Sequence, residues 1–104
     1  MIAVDTSAIM AMLLGEPTAN MVIQCMADNE LCMSAGTLSE LSIVATARGL
    51  FDEVEAVIKS TAMEIVPVDG STAKHVQQAY ESWGKGRHKA SLNFGDCFSY
   101  AVAK

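Results

Sequence analysis

This chain has few of the residues that staple or stiffen small proteins. It has only three cysteines, Cys25, Cys32 and Cys97, an odd number with no Cys-x-x-Cys pair. That argues against a disulfide frame or a zinc site and for reduced thiols in a cytosol. Basic residues are scarce: seven against twelve acids, for a net charge of −5. A large phosphate footprint is usually basic, so this balance argues weakly against broad nucleic-acid contact. It leaves room for a nuclease whose clustered acids are offset by bound cations. Long apolar runs are missing as well. The longest, Ile9 to Leu14, is far too short to span a bilayer, and Asp5 interrupts the only stretch that could open a signal peptide. No repeat, low-complexity tract or linker breaks the chain, and no glycine-rich phosphate loop is present.

What the chain does have is apolar mass. Over its 104 residues it is 51% hydrophobic and 18% charged, enough for one ordered domain with both faces of a sheet covered. Ile2-Ala3-Val4 reads as a short buried strand that stops at Asp5, followed by Thr6 and Ser7. Ser7 to Leu14 fits a short helix ended by Gly15-Glu16-Pro17, and Thr18 is expected to cap a second through Met26. Leu31 to Ala35 reads as a second strand. Thr37 and Glu40, three apart before an apolar run, carry the capping-box pattern of a helix with Leu41, Val44 and Ala45 on one face. Leu50 to Ser60 is a further amphipathic helix, with Phe51, Val54 and Ile58 aligned. Glu64 to Val68 is a third strand, which Pro67 assigns to an edge. Asp69 then caps a helix expected to bury Ala73, Val76, Tyr80 and Trp83, and Asn93 starts a last helix carrying Asp96. Strands alternating with helices imply an α/β three-layer sandwich around a mostly parallel sheet with right-handed crossovers.

In such a sheet, ligand chemistry gathers at the carboxyl ends of the strands. Asp5 ends the first strand, Glu40 begins the helix after the second, and Asp96 begins the last helix. Each has a structural alternative: Asp5 caps the next helix, and Glu40 and Asp96 reach back to their own caps. Brought together, two such acids repel by roughly 4 kcal/mol at an effective dielectric of 20, which a hard dication offsets. Mg²⁺ takes one or two carboxylates, waters and phosphate oxygens, a set suited to metal-assisted phosphodiester hydrolysis. Thr6 and Ser7 are candidates to position a metal-bound water.

The motifs Val4-Asp5-Thr6-Ser7-Ala8, Ser34-Ala35 with Thr37-Leu38-Ser39-Glu40, Val66-Pro67-Val68-Asp69 and Leu92-Asn93-Phe94-Gly95-Asp96-Cys97-Phe98 with Tyr100-Ala101 carry a resemblance to a known family. The chain resembles PIN-domain proteins over its whole length, and within them the VapC-type endoribonuclease toxins. The last motif is the most specific. The resemblance implies that Asp5, Glu40 and Asp96 are metal-binding catalytic acids, with Asn93 holding the start of the final helix beside them. It also implies Mg²⁺- or Mn²⁺-dependent cutting of single-stranded or looped RNA, homodimers, and silencing by an antitoxin protein whose tail fills the active-site groove. One departure stands out. Family members continue with another strand beside the first, a fourth acid or similar ligand, and a closing strand, whereas this sequence stops at Lys104. The expectation is a single PIN-like domain over residues 1–104, shortened at its C-terminus, with one side of the first strand unpaired and weak activity as a monomer.

Three further points follow from the sequence. Lys85, Arg87 and Lys89 fall in one loop and are candidates for RNA phosphates, against the plainer reading of a solvated loop. Neither His75 nor His88 has an evident nucleophile partner, which argues against a Ser–His or Cys–His enzyme. The competing reading is a non-catalytic PIN-like module that binds an antitoxin or another chain. A receiver-like phospho-acceptor ranks last, for want of an acidic pair near the first strand and a lysine at a later strand end.

Overall fold

The structure, a computed structural model, describes residues 1–84. The expected helix from Asn93, with Asp96, and the loop of Lys85, Arg87 and Lys89 lie outside the described residues. Within them the order is β1 (Ile2–Ala3), α1 (Thr6–Leu13), α2 (Ala19–Ala27), β2 (Leu31–Ser34), α3 (Ala35–Ala47), α4 (Phe51–Ser60), β3 (Glu64–Val66) and α5 (Gly70–Trp83).

The strands form one parallel sheet in the order β1-β2-β3. Ile2 sits opposite Leu31 and Ala3 opposite Cys32, while Cys32, Met33 and Ser34 face Glu64, Ile65 and Val66. Backbone bonds from Ile2 N to Glu30 O and from Val4 N to Cys32 O, both 2.8 Å, extend the first pairing beyond the strand itself. All four residues of β2 are buried. Successive strand residues point to opposite faces, so complete burial means that both faces are covered. That matches the α/β architecture expected for this sequence. Among the described residues β1 and β3 are the edges, as Pro67 implied for β3.

Burial of the apolar helix faces holds the helices to this sheet. Ile9 and Met10 of α1, Leu41 and Ala45 of α3 and Val54 of α4 join Val4, Leu31, Met33 and Met63 in one core cluster. Ile9, Met33 and Leu41 are fully buried, each contributing roughly 1.5–3 kcal/mol by removal from water. Helix α3 lies at the centre, packed on β2 and β3 and flanked by α1 and α4. Helices α1 and α3 are each followed by a glycine with positive φ, Gly15 (64°) and Gly49 (71°). The same left-handed turn after α4 is made by Ala62 (φ 52°), at a cost that glycine would avoid.

Several sequence expectations are corrected. Helix α3 begins at Ala35, and its cap is Ser34, whose Oγ accepts from Gly36 N at 3.1 Å. Thr37 is therefore buried inside the first turn and does not occupy the cap position, so the capping box expected between it and Glu40 is not the start of this helix. Thr18 makes no side-chain cap bond, and the third strand ends at Val66, short of Val68. Helix α2 has no fully buried residue. Phe51 at the start of α4 is exposed. In α5, Val76 is buried as expected together with Ala79, but Ala73, Tyr80 and Trp83 are exposed. The apolar spacing of α5 marked a face correctly but overstated how much of it is covered. Of the described cysteines, Cys25 and Cys32 are both free thiols. Burial raises the Cys32 thiol above its ordinary value, and the Glu64 charge adds to this.

Candidate active site

Each strand is followed within a few residues by a helix at the same end of the sheet, and each of these helices opens on a side-chain cap. Asp5 caps α1 after β1, Ser34 caps α3 after β2, and Asp69 caps α5 after β3. The parallel register forces this alignment. The sheet's carboxyl edge thus collects three polar caps, at the end where open α/β sheets bind their ligands.

The β1–α1 junction carries more than a cap. Asp5 is extended (φ −107°, ψ 173°), and its Oδ1 accepts from Ala8 N at 2.9 Å and from Ser7 Oγ at 2.9 Å. Both bonds fall on one oxygen. Among the described residues no donor is directed at Oδ2, so the cap leaves half of the carboxylate uncommitted. The capping role and a ligand role for Asp5 are compatible, because they use different oxygens.

Glu40 comes to the same junction from α3. It lies in the second turn of that helix, too far from Ser34 to reach back to the cap. Instead its Oε1 accepts a hydrogen bond from Thr6 Oγ1 at 2.6 Å, across 34 residues of sequence. Docking of α1 on α3 through Ile9 and Leu41 makes that contact possible. Asp5, Thr6 and Glu40 are all half-buried, which weakens solvent screening of charge between them.

The described residues thus bring together two of the three expected acids, through Thr6. Asp96 and Asn93 lie outside the described residues, and among the described residues no three His, Cys, Asp or Glu side chains group to hold a metal. Thr6 has a role that its sequence position did not disclose. It bonds to Glu40, whereas the sequence had offered it only as a water-positioning group. A hydroxyl directly after a strand-ending acid was the visible signal, but its partner could not be read without the α1–α3 packing. Two apolar surface grooves are also present. One lies between α3 and α4 beside Leu38, Phe51 and Ile58, and the other is lined by Met12, Ile23, Met26 and Val57. Neither is lined by Asp5, Thr6 or Glu40. No described helix is long and apolar enough to cross a membrane.

A small parallel α/β domain with acids at the carboxyl ends of its strands carries them at the edge where open α/β sheets bind their ligands. The PIN domain model matches residues 2–104. The chain is 39% identical to a protein named Ribonuclease VapC from Mycolicibacterium smegmatis, over 97% of this chain and 81% of that one. It is 39% identical to Ribonuclease VapC30 and 42% identical to Ribonuclease VapC36, both from Mycobacterium tuberculosis, covering 80% and 76% of their lengths. The chain belongs to the PIN-domain family, on the branch that holds these VapC ribonucleases.

Proposed function

We propose that this protein is a metal-dependent endoribonuclease that hydrolyses RNA phosphodiester bonds, and that it is the toxin of a type II toxin–antitoxin pair. The observation that carries the reading is the Thr6–Glu40 hydrogen bond, because it ties Glu40 of α3 to the junction where Asp5 ends the first strand. The relatives named as VapC ribonucleases give the reaction its class. The donor set fits a hard dication: Asp5 and Glu40 supply only oxygens, and among the described residues each has one oxygen that receives no hydrogen bond. Asp5, Glu40 and Asp96 are the residues that would hold Mg²⁺ or Mn²⁺. When bound, the ion would lower the pKa of an attacking water and offset charge on the phosphorane and leaving oxygen.

The chain's own residues do the rest. Asp5 fixes the start of α1 with one oxygen and keeps the other for the site. Glu40 meets it from α3, and Asn93 would hold the start of the last helix so that Asp96 completes the set. Lys85, Arg87 and Lys89 would grip the flanking RNA phosphates through counterion release. The partners implied are an RNA, a cognate antitoxin protein and a second copy of the chain as a homodimer, and the setting is the cytoplasm.

One assay tests the reading. The protein is incubated with structured RNA and Mn²⁺, with and without chelator, beside an Asp5→Asn variant. Chelator-sensitive cleavage that disappears in the variant is the expected result. No cleavage with retained antitoxin binding would make the protein a non-catalytic PIN-like binding module instead.

A further inference from the structure

Two hydroxyls follow Asp5 in sequence, and each is committed to a different carboxylate. Ser7 Oγ donates to Asp5 Oδ1 at 2.9 Å, and Thr6 Oγ1 donates to Glu40 Oε1 at 2.6 Å. A hydroxyl has a single proton, so while Thr6 donates to Glu40 it has none for a water or a phosphate. Thr6 is well placed to act as an anchor. It is the first residue of α1, directly after a satisfied cap, and its β-branched side chain has few rotamers. Glu40 is the opposite: a long side chain in the second turn of α3, with three torsions to fix. The anchor is stiff and its target is loose.

We infer that Thr6 is a positioning residue, whose hydroxyl proton holds Glu40 Oε1 and so leaves Oε2 for a divalent cation to which Asp5 would also contribute. This rests on the metal-dependent reading above. In this role Thr6 touches neither RNA nor the reacting atoms and acts only through Glu40. Outer hydrogen bonds of this kind fix the orientation of a ligating carboxylate, and their loss typically lowers metal affinity by about 10–100-fold.

The test uses the 104-residue protein with Thr6→Val, which removes the proton but keeps the branched shape, and Thr6→Ser, which keeps the proton. Melting temperatures near that of the wild type establish that the variants fold, and Thr6→Ala replaces Thr6→Val if the latter does not. Without metal, three-bond couplings report the Glu40 side-chain torsions by NMR. One dominant rotamer is expected in the wild type and Thr6→Ser, and averaging in Thr6→Val. Titration with Mn²⁺, read from the free-ion paramagnetic resonance signal, should show binding about 10–100-fold weaker in Thr6→Val and restored in Thr6→Ser. A single Glu40 rotamer in Thr6→Val, or unchanged Mn²⁺ affinity, overturns the inference. A wild-type protein that takes up no Mn²⁺ overturns the nuclease reading and the cation half of this one, while the rotamer measurement still decides whether Thr6 holds Glu40.

Discussion

Asp5 and Asp69 are the same residue type doing the same local job. Each follows a parallel strand, adopts extended backbone and accepts the backbone N–H three residues on, at 2.9 Å. What differs is what surrounds them. Asp69 is exposed, and its remaining bond, to Thr72 Oγ1, stays within its own helix. Asp5 is half-buried, and the residue after it reaches Glu40 on another helix. A strand-end aspartate therefore becomes a candidate for chemistry when packing delivers a second acid to it. Capping geometry alone does not distinguish the two cases.

The sharpest way to break this comparison is to make the same change at both sites. Asparagine caps helices about as well as aspartate, so Asp5→Asn and Asp69→Asn should both fold. Cleavage of RNA should fall by at least about a hundredfold in Asp5→Asn, through loss of a ligand charge, and remain unchanged in Asp69→Asn. Equal losses at both sites would dissolve the distinction between them.

Stability gives a second, smaller contrast. Ser34 caps the central helix from a buried position, and Ser34→Ala leaves Gly36 N without its partner. The expected cost is about 1–2 kcal/mol, a fall in Tm of several degrees measured by thermal unfolding. The same measurement on Asp69→Ala should show a smaller fall, because water can replace an exposed cap.

The smallest effect concerns pH. The backbone N–H of Thr72, followed by its hydroxyl, holds the Asp69 carboxyl below its ordinary value of 3.8. A depressed folded-state pKa means that the carboxylate stabilises the fold above pH ~3.8 and that this contribution fades as pH falls through the folded value. Thermal melts of wild type and Asp69→Asn should therefore differ slightly at pH 6 and converge as the pH drops below 4. A difference that persists unchanged at pH 3 would locate the effect elsewhere.

Much of this molecule was legible in its sequence, for a physical reason. Short apolar runs ended by polar turns mark buried parallel strands, and the alternation of strand and helix leaves little choice of topology. The sites of Asp5 and Glu40 followed from that topology. Two things did not follow. Thr37 and Glu40 carry the capping-box spacing, yet Ser34 starts the helix three residues earlier, because β2 runs straight into α3 without a loop. The pattern is local, whereas the helix start was set by where the strand ended. The Thr6–Glu40 bond was equally hidden. It depends on how α1 docks against α3, and nothing within either segment encodes that distance. The exposure of Tyr80 and Trp83 belongs to the same class, since periodicity names a helix face and not its neighbours.

The methionines carry a last consequence. Met10, Met33 and Met63 are buried in the core, while Met1 and Met21 stand in solvent. Peroxide should convert the outer pair to sulfoxide quickly and reach the inner three only when the whole domain opens. Once oxidised, a core sulfur brings a polar S–O group where no partner waits, so each opening event under oxidising stress would be hard to reverse. In this fold, the lifetime of the protein in such conditions would follow how often its interior is exposed.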